Sequence, residues 1–322
     1  MSGLNIVHVT PTPLVGAPGK LASAQRMRGH DAIAVGLAPY PQGGPLGKMF
    51  LDRTVLIDAF TQPHIEDRIK AADIVHLHNS LPAERLAWLS DLNQTADYVY
   101  QVHSPLREGP LYIDRSEACE GLDLIAKLVV GQYAGRMYPD FTPVPNLILT
   151  PPSIKKRGPD DKLRVMFSPS HSRTGRWNAK YSAALEETLK ALKKINKIEL
   201  ISPDQPVAPE VLMEIRRGCH VSIDEIATGA FHQISLEAMC AGNIAINRAD
   251  FFCKATFGGF CDGEMPPFLY ADDGNIAELL LRLADDWEET ARRQQESYDY
   301  FKRYCDPLRL VEVYDAAYQR VN

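Results

Sequence analysis

Residues 226–247, IATGAFHQISLEAMCAGNIAIN, decide how the rest of the chain is read. A turn signal at Thr228-Gly229 leads into a helical segment with Leu236, Met239 and Cys240 at helical spacing. Gly242 stops the helix and a short apolar strand follows. Only small residues, Ala238, Ala241 and Gly242, flank the one acid, Glu237, so the helix can lie close to a sheet while its first turn points outward. In an open α/β sheet, helix starts beside the carboxyl ends of strands gather anionic ligands, because unpaired N–H groups and the helix dipole face them. A carboxylate in that place binds hydroxyls. The plainer alternative is that Glu237 is a solvated first-turn residue.

The same succession of strand, loop and helix begins at the N-terminus. LNIVHVT (4–10) reads as a buried strand, PTPLVGAPG as a turn, the segment from about Lys20 to Arg28 as a helix stopped by Gly29-His30, and DAIAVGL as a second strand. This unit makes a parallel sheet with ligands at its carboxyl edge. Gly16 and Gly19 lie in its first loop, where a Gly-rich entry to a helix can cradle phosphate, although the GxGxxG spacing is missing and a plain turn explains them equally. AADIVHLHN (71–79) is a strand with His76 and His78 on one face near its carboxyl end. Two such histidines can hold a metal, but no third ligand stands at a matching spacing, so no metal site is expected. YVYQVHSP (98–105) is another short strand, stopped by proline just after His103.

Residues 115–138 carry a helical pattern, and periodicity does not decide whether 128–131 is a strand or a continued helix. Pro145, Pro151 and Pro152, followed by the charged run KKRGPDDK, mark a domain boundary near 150–161. Beyond it come the strand LRVMFSPS and the segment HSRTGRWNAK, in which Arg173, Arg176 and Lys180 enter a helix ending near Asn196. Cations at such a place suit a diphosphate. IELIS and CHVSID read as strands, VAPEVLMEIRRG as a helix, and RADFFCKATFGGF as an aromatic loop. Residues 275–286 and 287–304 are helical by period. The last helix, from about Pro307 to Gln319, carries Leu310, Val313, Tyr314 and Ala317 along one face.

A chain of 322 residues, 45% hydrophobic and 24% charged, suggests two α/β domains of about 150 residues each. A net charge of −6 argues against a large nucleic-acid footprint. The six cysteines form no CxxC pair, which points to reduced thiols in a cytoplasmic protein. Neither a signal peptide nor an 18-residue apolar run is found, so no transmembrane segment is expected.

SLEAMCAGNIAIN resembles the segment "alEAmAcGkPVi" of retaining glycosyltransferases with the GT-B fold, in particular glycosyltransferase family four. RMRGHDAIAVG is similar to that family's "rGHeV" element, residues 71–79 to "pDvvHlH", VPNLILTPPS to "ipNgvd", and PPFLYADD to the linker before its last helices. The resemblance is strongest over 163–247. It implies two Rossmann-like doubly wound α/β domains facing a central cleft: an acceptor-side domain over 1–153, a nucleotide-sugar-binding domain over 162–304, and a terminal helix over 305–322 crossing back to the first.

The resemblance also assigns roles. Glu237 holds the ribose hydroxyls of the donor, and Ser170, Arg173, Arg176 and Lys180, in a "PS…R…KG" segment of altered spacing, hold its diphosphate. His103 sits at the reaction centre, and the loop with Gly16 and Gly19 faces the acceptor. A second glutamate of the family, eight positions before Glu237, is replaced here by Gly229, so backbone N–H groups of Gly229 and Ala230 stand in for it; Asp224 and Glu225 cannot by position. The implied activity is transfer of a sugar from a UDP- or GDP-linked donor to a glycan, lipid-linked or other hydroxyl acceptor. Retention of configuration is implied, with no cofactor beyond the nucleotide sugar and no metal, and no Asp-x-Asp motif is found. The rivals are a non-catalytic GT-B relative that binds a nucleotide or glycan, a GT-B enzyme that glycosylates modified DNA bases, and a sugar-nucleotide epimerase.

Overall fold

The computed structural model describes residues 3–39, 53–103, 119, 121–131, 138–168, 182–203 and 207–319. The chain divides into two units, one of Met1–Leu149 with Pro307–Asn322 and one of Thr150–Asp306.

In the first unit, β1 (Asn5–Thr10) leads through a loop to α1 (Ala17–Met27), followed by β2 (Asp31–Gly36), β3 (Val55–Leu56) and α2 (Gln62–Lys70). Then come β4 (Ile74–His78), α3 (Ala83–Leu92), β5 (Asp97–Val102), β6 (Leu124–Val130) and β7 (Thr142–Val144). The seven strands are parallel and ordered β3-β2-β1-β4-β5-β6-β7. The order reverses between β1 and β4, and every residue of β4 is buried, as a parallel strand covered on both faces requires. The segment left open between strand and helix contains β6: Leu128, Val129 and Val130 are buried between β5 and β7, and lateral pairing overrides the helical period. Helix α3, entered at Pro82 with Leu86 and Leu89 on its buried face, was not anticipated from the sequence.

The second unit contains β8 (Leu163–Phe167), α4 (Ala183–Lys194), β9 (Ile198–Ile201), α5 (Pro209–Arg217), β10 (Val221–Ile223) and α6 (Gln233–Cys240). It continues with β11 (Ile244–Asn247), α7 (Phe251–Gly258), β12 (Leu269–Tyr270), α8 (Ile276–Asp285) and α9 (Trp287–Tyr304). Its five parallel strands run β12-β11-β10-β8-β9, with the reversal between β8 and β10. Ser182 caps α4 by accepting from Leu185 N at 3.0 Å, and Leu185, Leu189 and Leu192 then fall on the buried face. They join Val165, Val221, Ile244 and the α8 leucines Leu279, Leu280 and Leu283 in one core. The aromatic segment read as a loop forms α7 instead, because Asp250 accepts from Cys253 N and caps it.

The C-terminal segment forms two short helices, α10 (Pro307–Leu310) and α11 (Glu312–Ala317), in place of one continuous helix. It lies on the first unit, where Arg28 at the end of α1 donates to Asp315 at 2.8 Å and Glu312 at 2.7 Å. All six cysteines are buried, and none forms a disulfide. No helix among the described residues is long and apolar enough to cross a membrane.

Within the charged run near the boundary, Arg157 is buried and belongs to the second unit. It donates to Leu283 O, to Ala284 O at 2.8 Å and to Asp161 O at 2.9 Å, covering the last carbonyls of α8. Arg157→Met removes these charge-assisted bonds and is expected to lower stability by about 2 kcal/mol, read from the urea midpoint at unchanged slope.

Candidate active site

In the second unit, the loop 224–232 leaves the carboxyl end of β10, beside the point where strand order reverses, and runs into α6. Two buried carboxylates build it. Asp224 Oδ2 accepts from His232 N at 2.6 Å and from the Ser235 hydroxyl at 2.8 Å, which anchors the start of α6 to the strand end. Asn247, the last residue of β11, donates to the same hydroxyl at 2.8 Å. Glu225 accepts from the N–H groups of Ala227 and Thr228 at 2.7 and 2.9 Å and from the Thr228 hydroxyl. Arg248 pins the loop from the other side, donating to Ala227 O at 2.9 Å. Both acids therefore shape the loop.

Gly229 lies in this loop with φ +82°, in the left-handed region. A residue with a side chain there would carry about 1–2 kcal/mol of backbone strain, which glycine avoids. The Ala230 N–H is taken by the Thr228 hydroxyl at 3.4 Å.

Glu237 stands in the second turn of α6, not the first, and it is not a solvated residue. Arg216, on the last turn of α5 and 2% exposed, donates to Glu237 Oε2 at 3.2 Å, and Gln233 donates to Oε1 at 2.8 Å. The carboxylate is 19% exposed and rigidly held, with lone pairs left for two further donors. Neither Arg216 nor Gln233 was singled out from the sequence; an arginine at the end of an amphipathic helix gives no sign of burial. Ser170, Arg173, Arg176 and Lys180 lie outside the described residues, in the segment that continues from β8.

In the first unit, the loop after β1 contains three successive left-handed residues, Leu14 at φ +46°, Val15 at +57° and Gly16 at +77°. Left-handed backbone at a β-branched valine is strained, and Gly16 relieves the third position before α1 begins. Gly19 has a steric reason: a Cβ there would meet the Arg53 backbone oxygen at 2.8 Å.

His103 follows β5 directly and is partly exposed. Its Nε2 is 2.7 Å from His78 Nδ1, and its N–H donates to Asn79 Oδ1 at 2.9 Å. His78 Nε2 is 2.9 Å from Nδ1 of His8 on β1. A third histidine, absent from the sequence reading, thus joins His76 and His78, with ligand-type nitrogens of all three within 4.8 Å. Spacing along the chain could not reveal it, whereas strand register does, since His8 pairs with His76. Burial is the main cause that holds all four rings neutral: His8 falls to about 4, His103 to about 3, and His76 and His78 lie well below the usual value.

No protein-family model and no curated protein sequence matches the chain. Solved structures do. An alpha-glucosyltransferase in complex with UDP-glucose and DNA containing an abasic site superposes with a TM-score of 0.60 at 12% identity, covering 98% of this chain and 99% of that one. Anabaena HepE in complex with UDP-glucose follows at 0.58 and 12% identity, over 97% and 98%. A glycosyltransferase from Rickettsia africae gives 0.56 and 14%, over 97% of each. The fold is that of the GT-B glycosyltransferases.

Two outcomes follow. Glu237→Ala leaves Arg216 buried without its partner and is expected to destabilise the protein by about 3 kcal/mol in chemical denaturation without ligand, while Glu237→Gln loses less. The buried histidines make stability acid-sensitive. Below the unfolded value near 6.5 the unfolded chain takes up protons that the folded rings refuse until about pH 4 for His8, so stability falls as pH drops through that window. The slope is about 1.4 kcal/mol per pH unit for each of the three fully buried rings, checked by urea unfolding at a series of pH values.

Proposed function

We propose that the chain is a glycosyltransferase that moves a sugar from a nucleotide-sugar donor to an acceptor hydroxyl, with retention of configuration and without a metal at the leaving group. The donor belongs to the second unit. What carries the reading is the loop 224–232 and the start of α6 at the carboxyl end of β10, the strand-order reversal where doubly wound sheets bind nucleotides, in a GT-B fold. Two of the similar structures hold UDP-glucose, which makes a UDP-linked sugar the first donor to test.

In this reading Glu237 accepts hydrogen bonds from two adjacent ribose hydroxyls, its carboxylate already oriented by Arg216 and Gln233. Ser170, Arg173, Arg176 and Lys180 carry the diphosphate. Together they stabilise the charge that collects on the leaving diphosphate as the sugar bond breaks. His103 in the first unit supports the reaction centre, and the loop with Gly16 and Gly19 faces the acceptor, a glycan, lipid-linked or other hydroxyl compound.

A DNA acceptor is the second reading, favoured by the DNA in one of the similar structures and opposed by the net charge of −6. DNA binding that weakens steeply with salt supports it, and its absence at low salt removes it.

Titrating UDP, GDP and their sugars in a thermal-shift assay identifies the donor, since a ligand bound only by the native form raises Tm. Glu237→Gln is expected to weaken nucleotide binding about tenfold, close to 1.4 kcal/mol. His103→Ala should lower kcat with a smaller change in KM. If no nucleotide raises Tm and none of the sugar nucleotides is turned over, the reading is wrong.

A further inference from the structure

The histidines of the first unit extend into a longer array. Gln25 on α1 places Oε1 2.7 Å from His8 Nε2 and donates its own N–H to the Tyr318 hydroxyl at 3.0 Å. That hydroxyl lies 2.7 Å from His76 Nδ1. Across the sheet, Gln101 on β5 donates to the Tyr314 hydroxyl at 3.5 Å, and Tyr314 donates to Pro145 O at 2.8 Å. Between the two runs, His76 Nε2 and Gln101 Oε1 are both buried and neither has a hydrogen-bond partner, while Gln101 favours the protonated ring of His76.

We propose that these side chains form one directed hydrogen-bond chain that fixes His103 as the Nε2–H tautomer, leaving its Nδ1 as a bare acceptor. The direction follows from donor and acceptor chemistry. Pro145 O can only accept, so the Tyr314 hydroxyl spends its proton there and must accept from Gln101 N–H. In the proposed chain the unpartnered Gln101 Oε1 takes the unpartnered Nε2–H of His76, which leaves His76 Nδ1 to accept the Tyr318 proton. Tyr318 in turn accepts from Gln25, whose Oε1 receives His8 Nε2–H. A neutral His8 has a bare Nδ1, so His78 must donate to it from Nε2, and His103 must donate from Nε2 to His78 Nδ1. The opposite direction would need Tyr314 to donate its one proton twice.

The alternative use of the same atoms is a metal site on His8, His76 and His78. The rings of His76 and His78 oppose it, being stacked with centroids 4.2 Å apart and planes only 18° apart. A metal lies close to the plane of each imidazole that binds it, and two nearly parallel stacked rings do not share such a point without turning.

A bare, neutral Nδ1 accepts a hydrogen bond from a hydroxyl and offers nothing to a phosphate or carboxylate. Only this consequence rests on the glycosyltransferase reading: His103 receives a sugar hydroxyl, while Gln25, Tyr314 and Tyr318 act through it as positioning residues.

Long-range ¹H–¹⁵N NMR of histidine-labelled protein without ligand tests the chain, with the His103 signals assigned through His103→Gln. The expected wild-type spectrum shows His103 protonated at Nε2 and bare at Nδ1. Tyr314→Phe removes the hydroxyl that sets the direction, and the His103 signals should move to a mixture of both tautomers. A wild-type His103 protonated at Nδ1, an unchanged His103 spectrum in folded Tyr314→Phe, or one equivalent of transition metal in the purified protein each overturns the proposal. The wild-type spectrum decides even if the variant fails to fold. Because no nucleotide is used, failure of the glycosyltransferase reading leaves the result untouched.

Discussion

A parallel strand covered on both faces has no water to satisfy its polar side chains, so whatever polar groups it carries must bond to one another. Beta-strands β1, β4 and β5 carry His8, Thr10, His76, His78 and Gln101 buried on one face. Partners for His8, His76 and Gln101 come from α1 and from the C-terminal segment, which supplies Tyr314 and Tyr318. Apolar residues at those strand positions would give a simpler core. The neutral imidazoles of His8 and His78 instead bond in succession to His103, which follows β5 and is partly exposed.

The second unit meets the same constraint with charges. Arg216 is almost wholly buried, and its guanidinium is held by Glu237, which Gln233 also orients. Asp224 and Glu225 are buried as well, with loop N–H groups and hydroxyls converging on them. A loop fixed in this way needs little reordering when a ligand arrives, which is the condition for tight binding by few groups. Gly229 fits this picture, since glycine follows the loop's left-handed path without strain.

The alternation of strands and helices was legible because the apolar runs are short and separated by clear Gly and Pro signals: the openings at 4–10 and 31–37, the strand at 71–79 and the two helices over 275–304 all stand where pattern places them. Pattern failed where neighbours decide. Strand β6 owes its conformation to β5 and β7, and α7 to a single capping aspartate inside a segment whose aromatics suggested a loop. The sites divide in the same way. Glu237 and His103 could be picked out along the chain, but Arg216, His8 and Tyr318 become partners only through register and packing between segments as much as 293 residues apart, as Gln25 and Tyr318 are. Residue type alone carries no such information.

The first unit is discontinuous: it is completed by residues that follow the whole of the second. During synthesis Thr150–Asp306 emerges as one uninterrupted stretch and can fold while the earlier sheet still waits for its last two helices. Until Tyr314 and Tyr318 arrive, His76 and Gln101 face no hydroxyl, and the ring at the strand edge has no fixed tautomer. A chain cut before Tyr314 therefore has a complete second unit and a first unit that lacks two of its buried hydroxyls.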